Sequence, residues 1–235
     1  MKKFARTYAL LFTALFVAWG LSGCGAAKKV IDPTIAQLED FKKRQAQNDF
    51  AWIAAQNVDC AATKAGCNQL HLLKGDACFR LAKEANAANN KEEAKAHYSC
   101  AASEIEAGMQ QTNDWQIAGP RPQWYENLCE TLRNWQDLEK GAQADQLTNR
   151  LLETAKRFRA EEAEHPAAIY FVNGAQFTLL RKEILNPTDE AALCAKLNAI
   201  IQDLTQAQPR AGARYTANYQ QLRSDVTGVK PAGCQ

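Results

Sequence analysis

Apolar residues return at spacings of three and four positions in one segment of this chain after another. One such series, which would form a single face of an α-helix, is Leu70, Leu73, Ala77, Leu81 and Ala85. The 235 residues include only 12 glycines and 7 prolines, and no run of β-branched residues reaches the length of a strand. The pattern therefore predicts an all-α fold of about seven to nine helices.

Prolines, glycines and asparagines divide this periodicity into separate helices. The first stretch, residues 33–56, is one helix or two, since the polar residues 45–49 interrupt it. The other predicted helices are 68–87, one after Asn90 that ends near Gly108, 124–140, 142–163, Pro166 to about Leu185, one around 191–204, and 213–225. Most breaks are short, so we expect neighbouring helices to form antiparallel hairpins.

The predicted hairpin of residues 68–108 resembles a degenerate tetratricopeptide repeat. Its second helix has Ala94, Tyr98 and Ala101 at the small-x3-aromatic-x2-small spacing of that family, and Gly75 lies near the family's small position in the first helix. The resemblance implies that the chain is a stack of helical hairpins.

This resemblance also implies where a ligand would bind. The stacked hairpins would occupy residues 34–225, and their concave face would be lined by the first helix of each pair. Counting from Gly75, the resemblance directs four residues of the first helix towards that face and so makes them candidate protein-binding residues: Gln69, Asp76, Phe79 and Arg80.

The N-terminus has the features of a secretory signal. Lys2, Lys3 and Arg6 precede an apolar segment of about 12 residues at positions 8–19. That segment is too short to span a hydrocarbon layer of roughly 30 Å as a helix, but its length is typical of a signal-peptide core.

The next four residues, Leu21–Cys24, read LSGC and resemble the lipobox of bacterial lipoproteins. The resemblance implies that residues 1–23 are a signal peptide, that a peptidase cleaves before Cys24, and that the Cys24 thiol carries diacylglycerol. Gly25, rather than Asp, implies sorting to the outer membrane, with residues 24–33 as a tether in the periplasm. In the alternative, Cys24 is an ordinary residue after a general secretory cleavage site.

Cleavage would also change the charge of the chain. The sequence has 28 basic and 26 acidic residues, and three of the basic ones, Lys2, Lys3 and Arg6, precede Cys24. Their removal leaves 25 basic against 26 acidic residues. A net charge of −1 gives no electrostatic reason to expect nucleic-acid binding.

Seven cysteines follow Cys24, and a periplasmic location would oxidise them. Cys78 and Cys100 are nearly equidistant from the turn at Asn89 and Asn90, so they would lie opposite each other in an antiparallel hairpin. The candidate pairs are Cys78 with Cys100, Cys60 with Cys67, and Cys194 with Cys234, the last holding the tail, residues 226–235. Cys129 is then left over, as a buried thiol or as an intermolecular bridge, and the sequence leaves other connectivities open.

The sequence contains few signs of metal binding or catalysis. His97 and Cys100 share a helix face, and with Cys78 opposite they offer three metal ligands, but a disulfide between the two cysteines competes with this arrangement. His71 and His165 are interpreted as surface or capping residues. No phosphate loop, nucleophile elbow or HExxH motif is present, so we expect no enzyme, no metal and no cofactor other than the lipid on Cys24.

Large aromatic residues surround the GPRP sequence at residues 119–122. They are interpreted either as core residues where two hairpins meet or as a partner-binding patch, because Trp, Tyr and Arg dominate interface hot spots. The patch would consist of Trp115, Arg121 and Trp124.

These features lead to three hypotheses about function. The first is a non-enzymatic, outer-membrane-anchored periplasmic lipoprotein that binds another envelope protein, as a scaffold or accessory of a secretion or outer-membrane assembly. The second is a cell-wall or small-ligand enzyme or binder, with a polar cleft that contains His165 or Glu130. The third is a structural lipoprotein that coats or spaces the envelope. The oligomeric state stays open.

Overall fold

The computed structural model describes residues 32–60, 66–110, 120–231 and 233–234. The predicted signal peptide, Cys24 and Trp115 lie outside the described residues. Within them the chain is all-α, as predicted, with nine α-helices, a short 3-10 turn at Gln208–Arg210, and no strand. The helices are α1 Pro33–Ala46, α2 Phe50–Ala55, α3 Cys67–Ala87, α4 Lys91–Gln110, α5 Arg121–Leu138, α6 Gly141–Glu161, α7 Pro166–Leu185, α8 Glu190–Ala207 and α9 Gly212–Gly228.

Each helix packs against the next one along the chain, and the central helices form hairpins. Helix α3 pairs with α4, α5 with α6, and α7 with α8, while α9 packs on both α7 and α8. Consecutive pairs are joined by further contacts of α4 with α5 and of α6 with α7. This arrangement is consistent with a helical repeat.

The predicted interruption at residues 45–49 separates α1 from α2. Asn48 has a φ of 57°, a left-handed conformation that a helix cannot contain. The carboxylate of Asp49 then accepts a hydrogen bond from the backbone N–H of Trp52 (3.3 Å) and so caps α2. A left-handed residue and a new N-cap together end one helix and begin the next.

Two helices extend beyond their predicted ends because buried residues hold the extra turn. Helix α4 reaches Gln110, since Gly108 and Met109 are buried in the core rather than forming a terminus. Helix α9 reaches Gly228, since Val226 is fully buried. The predicted tail of residues 226–235 is therefore helical in its first three positions.

The hairpin of α3 and α4 is packed unusually closely. A Cβ atom placed on Gly75 would lie 2.6 Å from the side chain and 3.1 Å from the backbone N of Ile105. A Cβ on Gly108 would lie 2.7 Å from the side chain of Leu72 and 3.0 Å from the backbone O of Asn68. Ala101, on α4, is likewise fully buried. Small residues therefore allow the two backbones to approach each other.

The three predicted cysteine pairs are the disulfides of the structure. Cys78–Cys100 joins α3 to α4, and Cys194–Cys234 joins α8 to the tail. Cys129 is fully buried and is the free cysteine of the described residues. Burial raises the pKa of its thiol, which keeps it protonated. An enclosed thiol cannot reach a second chain, which contradicts the alternative of an intermolecular bridge.

An ion pair together with an amide hydrogen bond links the three consecutive helices α6, α7 and α8. Arg159 of α6 donates two hydrogen bonds to the carboxylate of Asp203 on α8 (2.6 and 2.7 Å), and Asn173 of α7 donates a third (2.7 Å). Burial opposes ionisation of Asp203, but these hydrogen bonds outweigh it and lower the pKa of the carboxyl. The contact fixes α8 against the hairpin before it.

We expect Gly75→Ala to destabilise the protein by about 1–3 kcal/mol, because the new methyl group would force α3 and α4 apart. Gly174→Ala is the matched control. A Cβ there would lie 3.9 Å from Leu222, at ordinary contact distance, and alanine favours the helix by up to about 1 kcal/mol. Urea unfolding followed by circular dichroism measures both, and equal effects of the two substitutions would contradict the close approach.

Candidate protein-binding groove

Three adjoining cavities that share lining residues lie along α3, α5, α7 and α9, with volumes of about 430, 260 and 200 Å³. The first and second share Glu130 and Arg214, and the second and third share Arg133, Tyr170 and Phe171. Apart from one leucine of α6, all lining residues belong to these four alternate helices. We call this surface the inner groove.

A series of polar residues on α5 runs along the inner groove. They follow one another at helical spacings of four, three, four and three positions, and so share one face: Gln123, Asn127, Glu130, Asn134 and Asp137. Burial raises the pKa of the Asp137 carboxyl, although Arg133 counteracts this. Side-chain amides both donate and accept hydrogen bonds, so this face can pair with the backbone of an extended peptide.

Aromatic rings and arginines line the middle of the groove. Arg133 donates a hydrogen bond to the hydroxyl of Tyr170 (2.8 Å), and its guanidinium lies 5.7 Å from the centre of that ring. The ring of Tyr170 is in turn 5.7 Å from that of Tyr215. Because these side chains hold one another in place, they present a preorganised surface to a ligand.

A buried carboxylate, that of Glu126, contacts Tyr215 of this aromatic group and the neighbouring Arg214. Glu126 of α5, with 8% side-chain exposure, accepts a hydrogen bond from the hydroxyl of Tyr215 and forms an ion pair with the guanidinium of Arg214, at 2.8 Å. Burial, together with the hydrogen bond to Glu126, raises the pKa of Tyr215, which therefore stays protonated. Arg214 itself is 69% exposed and faces the groove.

The charges that line the groove are balanced. Five cationic and five anionic side chains contribute to its walls, and some of them pair directly. Arg80 lies 2.9 Å from Asp76, and Lys83 lies 3.8 Å from Glu130. Such a surface is electrostatically complementary to a molecule of mixed polarity rather than to a strongly charged one.

Three of the four residues that the repeat resemblance directed to the concave face line the inner groove: Asp76, Phe79 and Arg80. Gln69 does not line it. This residue is 8% exposed, and it lies in the first turns of α3, where α1 and α2 pack against that helix.

Arg121 and Trp124, the two described residues of the predicted patch around the GPRP sequence, do not line the inner groove. Arg121 donates two hydrogen bonds to Glu161 (2.5 and 3.1 Å) and contributes to a small separate cavity of about 60 Å³. Trp124 is half-buried and packs on the main core. Both residues therefore take part in packing between helices of the chain.

The sequence did not indicate the groove residues of the later helices, among them Arg133, Tyr170, Arg214 and Tyr215. The order of the helices in the sequence indicates which helices would line the concave face, but not which residues of each helix would do so. Each lies on an alternate helix of the chain, at the same place in the hairpin order as α3, but no repeated motif marks the register from one hairpin to the next. Which face of α7 or α9 turns inward depends on tertiary packing.

One group of side chains outside the groove has the composition of a metal site. The sulfur atoms of Cys60 and Cys67 and a ring nitrogen of His71 all lie within 4.8 Å of one another. The two cysteines form a disulfide. The predicted alternative set of His97, Cys100 and Cys78 does not form such a group among the described residues.

Comparisons with protein-family models, with curated proteins and with solved structures find no significant match to this chain. Among the described residues, every helix is too short or too polar to cross a membrane.

We expect Arg214→Ala to destabilise the protein by about 1–3 kcal/mol, because it leaves the Glu126 carboxylate buried with Tyr215 as its remaining partner. Adding Glu126→Gln should recover part of this loss, since the buried charge is then gone. Urea unfolding of the single and double variants measures the coupling. Arg181→Ala, a groove arginine without an ion pair to any described residue, is the control and should cost less than about 0.5 kcal/mol. Strictly additive effects would argue against the pairing.

Proposed function

We propose that this chain is a periplasmic lipoprotein, anchored to the outer membrane through Cys24, that binds another envelope protein in the inner groove. It would act without catalysis, as a scaffold or accessory of a secretion or outer-membrane assembly. The continuity of the groove over four alternate helices is the observation that carries the proposal, because helical-repeat proteins bind extended segments along such faces.

The composition of the groove supports a protein ligand. Tyrosines and arginines are the residues that most often dominate the energy of protein interfaces, and Tyr170, Tyr215, Arg133 and Arg214 lie together at its centre. The amides of Asn127 and Gln123 supply donors and acceptors for a peptide backbone. A segment bound there would gain contacts with all four helices.

The lipid would hold this groove close to the membrane. Helix α1 begins at Pro33, so residues 24–32 separate the proposed lipid from the folded body. Nine extended residues span at most about 30 Å. The partner would therefore be a protein of the membrane or one bound at its surface.

A small polar ligand is the second candidate for the same groove. Its first cavity, of about 430 Å³, has the size of a small-molecule site and contains Glu130 beside Lys83 and Arg214. His165, the other residue considered for a cleft, instead caps α7 and lies against Phe158, with 4.9 Å between ring centres. A structural lipoprotein without a groove ligand is the remaining alternative.

Site-specific photocrosslinking tests the proposal in cells that make the protein. A photoreactive phenylalanine derivative in place of Arg80, which lines the groove, is expected to give one discrete protein adduct. The same derivative in place of Lys156, an exposed residue of α6 that lines none of the three cavities, is the matched control and should give none.

Two further results decide between the candidates. Arg133→Ala combined with Tyr170→Ala should reduce the Arg80 adduct by at least about tenfold, since both side chains lie at the centre of the groove. If crosslinking from Arg80 yields no protein adduct while the protein stays folded, the protein-binding proposal is wrong and a small ligand or a structural role takes its place.

Replacing Cys24 by Ser tests the anchor separately. Without a thiol no diacylglycerol can be attached, so we expect the variant to leave the membrane fraction and appear as a folded protein in the periplasmic fraction. Cell fractionation followed by immunoblotting measures this, with Cys129→Ser as the cysteine control. A Cys24→Ser protein that stays with the membrane would refute the lipid anchor.

A further inference from the structure

The disulfide between Cys60 and Cys67 lies beside His71, and the three side chains are of types that bind metal ions. Cys67 and His71 are four residues apart on α3, one turn of the helix, and therefore share a face. Cys60 reaches the same face from the chain after α2, with 5.6 Å between the two cysteine Cα atoms. Both sulfurs and a ring nitrogen of His71 lie within 4.8 Å of one another.

The imidazole of His71 is oriented by a carboxylate on the neighbouring helix. Its Nδ1 lies 2.6 Å from Oε2 of Glu104, and the Nζ atom of Lys74 lies 2.7 Å from Oε1 of the same residue. All three side chains are largely buried, with exposures of 17%, 17% and 13%. Metal-binding histidines are commonly held in this way, with one nitrogen on a carboxylate and the other on the metal.

We propose that the reduced protein binds Zn²⁺ through the thiolates of Cys60 and Cys67 and Nε2 of His71, with Glu104 as a positioning residue. This set has the two-cysteine, one-histidine composition of zinc sites that keep a fourth position open for water. Two thiolates on one tetrahedral zinc lie about 3.8 Å apart, which suits cysteines whose Cα atoms are 5.6 Å apart.

The conversion between the disulfide form and the reduced, zinc-bound form conserves electrons and protons. A dithiol reduces the Cys60–Cys67 bond, gives up two electrons and two protons, and becomes a disulfide itself, which leaves two cysteine thiols. Binding of Zn²⁺ then displaces the two thiol protons. Oxidation of the thiolates by a disulfide oxidant restores the cystine and releases the metal. The site is therefore available only in the reduced protein.

The neighbouring arrangement of His97, Cys78 and Cys100 provides an internal control. Its two cysteines also form a disulfide, and reduction opens both pairs. Among the described residues, the carboxylate within ion-pair distance of His97 is that of Glu93, on the same helix and 3.7 Å from Nε2, so His97 has no counterpart of the contact that joins His71 to Glu104 of the next helix. His97→Gln removes the histidine of this set and leaves His71 intact.

The experiment uses the full chain, purified in mild detergent. The protein is reduced with a small dithiol, desalted without oxygen, supplied with Zn²⁺ and desalted again, and bound zinc is measured by atomic absorption. We expect one more zinc per chain than in the Cys60→Ser/Cys67→Ser double variant, and none in the oxidised protein. His71→Gln should weaken binding by at least about tenfold, and His97→Gln should leave it unchanged.

Cobalt binding provides a readout of the ligands. Co²⁺ in the reduced protein should give a thiolate-to-cobalt charge-transfer band that disappears in Cys60→Ser/Cys67→Ser and shifts in His71→Gln. Glu104→Gln keeps all three ligands and should weaken the affinity by about 10–100-fold. Circular dichroism verifies that each variant folds. Equal zinc content in the reduced wild type and the double variant, or unchanged affinity in both His71→Gln and Glu104→Gln, would overturn the proposal.

Discussion

The close contact between α3 and α4 is the constraint on which the rest of the structure depends. Gly75 and Gly108 have no side chain where the two helices meet, and each faces a large residue of the other helix, Ile105 and Leu72. The Cys78–Cys100 disulfide covalently joins the same two helices. With their relative position fixed in this way, α4 offers a defined surface to α5, and the next hairpin is placed on it.

The same contact assigns each face of α3 a different role. Gly75 and Cys78 face α4, while Leu70 and Ala77 belong to the apolar cluster with α1 and α2. The face that remains carries Asp76, Arg80 and Lys83 and lines the inner groove. A helix that is covered on two sides presents only one side to a ligand, and for this reason three of the four side chains inferred from the repeat resemblance line the cavity.

Much of the fold was predictable because it depends on local signals. Helical periodicity, the left-handed turn at Asn48 and the prolines between hairpins act over a few residues, and the equal distances of Cys78 and Cys100 from one turn indicate a disulfide in any antiparallel hairpin. The ends of α4 and α9 were misplaced because burial of Gly108 and Val226 depends on distant partners. The closeness of Cys60 to His71 is also local, since Cys60 pairs with Cys67, which lies one turn before His71 on α3. The contact of His71 with Glu104 depends instead on how α4 packs on α3.

The balance of charge in the inner groove would limit how it selects the proposed partner. Its walls carry equal numbers of cationic and anionic side chains, and some of them pair, as Arg80 does with Asp76 and Lys83 with Glu130, so the groove has little net field to attract a charged chain from a distance. Long-range steering would therefore contribute little to binding of the proposed partner, and selection would depend on short-range contacts with the aromatic rings and amides. Such contacts discriminate by shape and hydrogen-bond geometry, which requires the groove to be rigid before the ligand arrives. Contacts between α5 and α9, such as those of Glu126 with Arg214 and Tyr215, hold the groove residues in place.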